Sequence, residues 1–160
     1  MSLVHQVSDQ KKFIDPHQAL LKAQKYCAYQ ERSQQEVRDK LYSLGLHKRD
    51  VEATLAELIT SGFLKEERFA IAFAGGKFRI KKWGRTKIEA ALKQKKVSSP
   101  VIRMALKAID ERDYSKALSN LIEQRSKKIS EPNPFKRKNK LAQYAISRGF
   151  ESELVWQLLS

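Results

Sequence analysis

Apolar positions along this chain recur at helical spacing, and the pattern then repeats as a block. Val37, Leu41 and Leu46 share a frame with Ile88, Leu92 and Val97, 51 residues later, and with Leu141, Ala145 and Phe150, 104 residues after the first set. The first block reads Ser33-Gln34-Gln35-Glu36-Val37-Arg38-Asp39-Lys40-Leu41 and closes on Gly45-Leu46. The second reads Gly84-Arg85-Thr86-Lys87-Ile88-Glu89-Ala90-Ala91-Leu92 and closes on Lys96-Val97. The third reads Arg137-Lys138-Asn139-Lys140-Leu141 and closes on Gly149-Phe150. A unit of about fifty residues met three times marks an array of small repeats. Arrays usually serve as binding surfaces, because each unit extends the face offered to one ligand.

The periodicity predicts three helices in each unit. Residues 1–14 show none and are expected to form a mobile tail. Asp15-Pro16 reads as a helix start, an N-cap followed by Pro at the first helical position. Leu20, Ala23 and Cys27 follow at helical spacing, which puts Cys27 in a core. Ser33 and Glu36 form a capping-box pattern. Val37, Leu41 and Leu44 are the inner stripe of that helix, and Gly45 is its left-handed stop. Val51, Leu55 and Leu58 face inward on a third helix, ended by Gly62.

The second unit follows the same plan. A helix is expected from about Glu66 to Lys82, with Phe69 and Phe73 on one face. Gly75-Gly76 interrupts it, as a kink or a close helix contact, since Gly costs about 1 kcal/mol against Ala inside a helix. A second helix follows Trp83-Gly84. A third starts at Ser99-Pro100, and its Ile102, Leu106 and Ile109 stand 51 residues after Val51, Leu55 and Leu58. The third unit opens near Asp113 with Tyr114, Ala117, Leu118, Leu121 and Ile122 on an apolar face. Two prolines make residues 130–134 a loop. Asn133-Pro134 starts the next helix, which Gly149 ends. Glu151 to Leu159 forms the last, with Leu154, Val155 and Leu158 apolar. The expected fold is all-α: three tandem three-helix, helix-turn-helix-like repeats over residues 15–64, 65–111 and 112–160, in an elongated, curved array.

Composition supports helices: 31% of residues are charged, with six Gly and four Pro. The placement of charge says more. The chain carries a net +14, yet residues 18–60 hold seven Lys/Arg against six Asp/Glu. Residues 77–96 hold nine against Glu89 alone, and residues 125–148 hold eight against Glu131. Such local one-sidedness favours a polyanion or an acidic protein surface as partner. No apolar run approaches the roughly 20 residues that span a bilayer, and residues 1–14 do not resemble a signal peptide. One cysteine cannot form an internal disulfide. The chain therefore reads as a cytoplasmic protein, and a monomer is the expected state.

Chemistry of its own is not expected. His5, His17 and His47 are isolated and Cys27 has no second cysteine, so no metal set forms. There is no P-loop and no GxGxxG, and nothing pairs a nucleophile with a base. No cofactor is implied. The segment from Lys77 to Ile88 instead alternates cations with apolar residues around Trp83. It could meet phosphates through Lys/Arg while a ring stacks on a base, or meet acidic side chains. Trp83 reads first as a staple packed between two helices. The candidate binding cations are Lys77, Arg79, Lys81, Lys82, Arg85, Lys87, Lys93, Lys95 and Lys96 in the second unit, and Lys136, Arg137, Lys138 and Lys140 in the third.

The joint between the first two units carries a family likeness. The run from Leu58 through Ser61-Gly62-Phe63-Leu64-Lys65-Glu66-Glu67-Arg68-Phe69-Ala70, then Lys77-Phe78-Arg79, then Lys82-Trp83-Gly84-Arg85-Thr86-Lys87-Ile88, resembles the RecX family of bacterial recombination regulators. Ser33-x-x-Glu36-Val37 with Leu41-x-x-x-Gly45 resembles that family's first unit. The likeness covers about residues 18–159. Lys65-Glu66-Glu67 departs from it, since many relatives carry Asp in that turn. The resemblance implies an all-helical protein of three repeated units that binds the RecA recombinase, especially its filament on single-stranded DNA. It also implies restraint of strand exchange, ATP hydrolysis and stimulated cleavage of the SOS repressor, with no catalysis by the family member itself. The residues alone leave two classes open: a regulator lying along a protein filament, and a nucleic-acid-binding module acting through the phosphate backbone.

Overall fold

The computed structural model describes residues 14–160. Residues 1–13 of the expected tail lie outside that range, and Ile14 packs against the first core. Nine helices and no strand occur among the described residues. They are α1 (Pro16–Tyr29), α2 (Gln34–Ser43), α3 (Lys48–Thr60), α4 (Glu66–Lys81), α5 (Arg85–Gln94), α6 (Ser99–Lys107), α7 (Glu111–Ser126), α8 (Pro134–Ser147) and α9 (Ser152–Leu159). The expected all-α set of three tandem three-helix repeats is present.

The chain divides into two compact units, one ending at Glu66 and one spanning Glu67–Ser160. In the first, α1 packs on α2 and α3. Its core holds Ala19, Ala23, Cys27, Val37, Leu41, Leu46, Val51, Leu55, Leu58 and Leu64. Ala19 takes the inner position expected of Leu20, which stays half-buried. The Ser33 hydroxyl accepts the Glu36 N–H at 3.0 Å and is itself buried. A cap of this kind is worth about 1 kcal/mol.

The second unit encloses one core shared by α4 to α9. Tyr114 sits inside it with its ring centroid 5.7 Å from that of Phe78 and 5.2 Å from that of Phe150. Asn133 caps α8 as its chemistry demands: its side-chain oxygen accepts the Lys136 N–H at 3.1 Å, with Pro134 in the first turn. Asp110 does the same for α7, accepting the Asp113 N–H at 3.0 Å. Val155 is the buried anchor of α9, and Leu158 is exposed. Two expectations need correction. α6 begins one residue early, with Ser98 as the N-cap and Ser99 already helical. Gly75-Gly76 does not interrupt α4. Phe69, Ala70, Ala74 and Phe78 are buried on both sides of the pair, and that burial outweighs about 1 kcal/mol per glycine. A Cβ on Gly75 would meet the Arg79 guanidinium at 2.7 Å, so the missing side chain makes room for that head group.

Helix ends show the repeat most clearly. α2, α5 and α8 close with the same bond, donated by Leu46, Val97 and Phe150 to the carbonyls of Leu41, Leu92 and Ala145. The residue before each donor is left-handed: Gly45 at φ 91°, Lys96 at 59° and Gly149 at 99°. Two more left-handed ends occur, Gly62 at 83° after α3 and Lys82 at 58° after α4. Glycine adopts this conformation freely, whereas a residue with a Cβ gives up about 1 kcal/mol or more.

The second and third three-helix sets interlock through backbone. The Gly84 N–H donates to the Arg148 carbonyl at 2.9 Å, and the Thr86 N–H to the Gly149 carbonyl at 2.9 Å. The Arg148 guanidinium donates in turn to the Lys81 carbonyl. A Cβ on Gly84 would lie 2.3 Å from the Gly149 carbonyl carbon and from the Phe150 nitrogen, so only glycine permits this approach.

Candidate partner-binding surface

The sequence-predicted cations separate into those held within the fold and those left facing outward. Arg85 belongs to the first group. Its guanidinium bonds Glu151 at 3.0 Å and Glu111 at 2.6 Å, and it lies 3.7 Å from the Tyr114 ring centroid. Burial opposes its charge, but the hydrogen bonds to the two carboxylates outweigh that and raise its pKa. Its backbone N–H donates to the Tyr114 hydroxyl at 3.1 Å, and that hydroxyl donates to Glu151. Burial first, and then the bond to Glu151, raise the tyrosine's pKa. Arg85 is thus a fastener between the second and third sets.

Arg137 is likewise engaged. It donates to the Ile129 carbonyl at 2.9 Å, to the Ser126 hydroxyl at 2.8 Å and to the Ser126 carbonyl. The Ser126 carbonyl is one of those freed at the end of α7, where a cation also suits the helix dipole. Lys140 pairs with Glu131 at 3.0 Å and, with the Asn133 N–H, holds that carboxyl below its ordinary range. Lys93 pairs with Glu89 one turn away at 3.2 Å. Lys136 and Lys138 are exposed, and so is Lys140 despite its pairing, so three of the four candidates on α8 face outward.

On α4 and α5 the geometry converges. The Lys77 ammonium lies 5.5 Å from the Phe73 ring centroid and 5.0 Å from that of Trp83. Lys87 lies 4.8 Å from the Trp83 centroid, and Lys95 lies 5.6 Å from that of Phe73. The side chains therefore form a row: Lys87, Trp83, Lys77, Phe73, Lys95. Trp83 is half-buried against the second core, so the staple reading holds, and two ammoniums flank the same ring. Each cation–ring contact is worth about 0.5–1 kcal/mol at such sites. Neither Lys77 nor Lys87 pairs with a carboxylate among the described residues. Lys81, Lys82 and Lys96 are exposed beside this row in sequence. Arg79 turns away from it, lining a cleft with Gly75, Ala105, Ile109, Asp110 and Asp113.

Phe73 is the member of the row that the charge pattern does not nominate. The signal for it is its spacing four residues before Lys77, one helical turn. Among the described residues no group of His, Cys, Asp or Glu is placed to hold a metal ion. No helix is long and apolar enough to cross a membrane.

All three helical sets match family models: the first, second and third three-helix domains of RecX cover residues 19–58, 66–106 and 112–159. A regulatory protein RecX from Prosthecochloris aestuarii is 31% identical over 151 residues, covering 91% of this chain and 93% of its own. Those of Clostridium tetani and Lactobacillus johnsonii are each 29% identical over 140 residues, covering 86% and 88% of this chain. This chain spans only 64% and 51% of the length of those two relatives. The crystal structure of RecX from Lactobacillus salivarius superposes with a TM-score of 0.83 at 21% identity, covering 90% of this chain and 94% of that one. A second crystal structure of regulatory protein RecX gives 0.81 at 20% identity. With each three-helix set matched in order and a relative aligned over nearly its whole length, the chain belongs to the RecX family.

Proposed function

We propose that the protein is a non-catalytic regulator that acts in the cytoplasm, binding the RecA recombinase and above all its filament on single-stranded DNA. Bound there, it restrains recombinase, ATPase and coprotease activities in DNA repair and the SOS response. Family membership supports the partner. The observation that carries the site is the row of Lys87, Trp83, Lys77, Phe73 and Lys95 on α4 and α5. Cations held against rings are partly ordered before binding, so they give up less side-chain entropy when they meet an acidic or phosphate-bearing surface. The exposed Lys136 and Lys138 of α8 add further cations in the same unit.

A filament regulator and a simple nucleic-acid binder differ in partner dependence. Co-sedimentation of the protein with RecA–single-stranded DNA, RecA alone and DNA alone tests the proposal. Preferential recovery with the complete filament is expected. Equal recovery with bare DNA, abolished by moderate salt, is the behaviour of a phosphate-backbone binder instead. ATP turnover by the purified protein without RecA would contradict the non-catalytic reading.

A further inference from the structure

We propose that Lys82 and Lys96 are ligand-binding cations kept at left-handed helix ends against the backbone's own preference, and that they take phosphodiesters of a single nucleic-acid strand. Among the described residues, five positions have positive φ, and each ends a helix. Three are glycine: Gly45, Gly62 and Gly149. The two that are not are both lysine, and both lie in the second three-helix set, at φ 58° and 59°. The repeat supplies an internal control for Lys96. By the frame of the array it occupies the position of Gly45 and Gly149, and the closing bonds beside it are the same. Glycine is thus the residue this cap takes twice in the same chain, and a strained alternative persists where the surroundings or the function require it.

Nothing within the fold explains the two ammoniums. Both residues are exposed, and neither forms an ion pair among the described residues. Lys82 lines a cleft with the cations Arg79 and Lys116, beside Asp113, and Lys96 directly follows Lys95 of the cation–ring row. A strand of nucleic acid offers charged phosphates and flat bases in alternation, which matches cations and rings in alternation. An acidic protein surface offers carboxylates to the same lysines and is the alternative that the test excludes. The inference rests on the filament-binding reading for its biological setting, but its test does not require RecA.

Lys82→Gly, Lys96→Gly and the double variant are compared with the unmodified chain in two measurements. Guanidinium unfolding is followed by tryptophan fluorescence, which reports the second unit because both tryptophans, Trp83 and Trp156, lie there. Binding of a fluorescein-labelled oligothymidylate is followed by anisotropy across a salt series. The double variant is expected to unfold at higher denaturant yet bind more weakly. Its slope of log affinity against log salt should be shallower by about 1.4, at about 0.7 for each phosphate of the single strand that is no longer neutralised. Lys96→Arg should retain the affinity that Lys96→Gly loses. A raised midpoint with unchanged affinity and slope would show merely unoptimised caps and overturn the proposal. A lowered midpoint would show that no strain is held there, with the same consequence. Loss of binding to RecA alone, with oligothymidylate binding intact, would assign the lysines to an acidic protein partner and also overturn it. Oligothymidylate binding without filament preference would leave these lysines assigned and refute the filament-regulator reading instead.

Discussion

Replacing Gly84 with Ala tests the interlock between the second and third three-helix sets. Gly84 has φ −79°, an ordinary value for any residue, so the substitution introduces no backbone strain of its own. The new methyl would stand 2.3 Å from the carbon and oxygen of Gly149 and from the nitrogen of Phe150. That is roughly 1 Å short of ordinary contact, and all three atoms are backbone, so no side chain can swing aside. The turn must lift away. The bonds from the Gly84 and Thr86 N–H groups to the Arg148 and Gly149 carbonyls then break. Two hydrogen bonds are worth about 1 kcal/mol each, and overpacking adds about 1–3 kcal/mol. The expected loss is therefore about 3–5 kcal/mol in the second unit. The assay is denaturant unfolding read by tryptophan fluorescence, which confines the signal to that unit. Gly76→Ala is the matched control: a Cβ there meets nothing within 4 Å, inside α4. It should stabilise by about 0.5–1 kcal/mol. A loss below about 1 kcal/mol for Gly84→Ala, or equal shifts for the two variants, would refute the reasoning.

Arg137→Ala should cost about 1.5–3 kcal/mol, the range for hydrogen bonds to a charged group, and leave filament binding per folded molecule unchanged; calorimetric unfolding beside a binding isotherm separates the two. Burial and its bond to Glu151 raise the Tyr114 pKa, so its share of stability is complete below about pH 10, where an unfolded tyrosine begins to ionise. That share is lost as pH rises toward the folded value, and Tyr114→Phe should flatten the alkaline decline in unfolding midpoint above pH 10. Cys27 is buried in the first core, so Cys27→Ser should lower stability by about 1 kcal/mol, by circular dichroism, while binding persists. Loss of binding in a folded Cys27→Ser protein would give the thiol a role that its position does not suggest.

Much of the fold is legible because it depends on local chemistry. Frames 51 and 104 residues apart place Val37, Ile88 and Leu141 in cores before any tertiary packing is known. Asn133-Pro134 announces the start of α8 through its cap. The candidate site is less legible, because a count of charges does not show where counter-charges fold. Arg85 meets carboxylates 26 and 66 residues away, and Arg137 meets carbonyls 8 and 11 residues back. Both sit in basic runs, yet both hold the structure together. Gly149 reads as a helix stop, which it is, but its approach to Gly84 depends on a tertiary packing that no local pattern encodes. The Lys96 substitution into a glycine frame is visible in the sequence once the three closing pairs are aligned. Its significance comes from the φ angle.

The cation–ring row as the contact with the RecA filament is tested most directly by matched charge reversal. Lys77, Lys87 and Lys95 become Glu in one variant, and the exposed Lys22, Lys25 and Lys48 of the first unit become Glu in the other. Arg32 and Arg38 would be poor controls, since one lies 3.7 Å from the Tyr26 ring centroid and the other pairs with Glu52 at 2.9 Å. Both variants change net charge equally, so a difference between them reports location. Affinity for preassembled RecA–single-stranded DNA filaments at physiological salt is the measurement. The row reversal is expected to weaken binding at least tenfold, about 1.4 kcal/mol, while the control stays within about threefold. Equal losses in the two variants, or no loss in the first, would contradict a local site on α4 and α5.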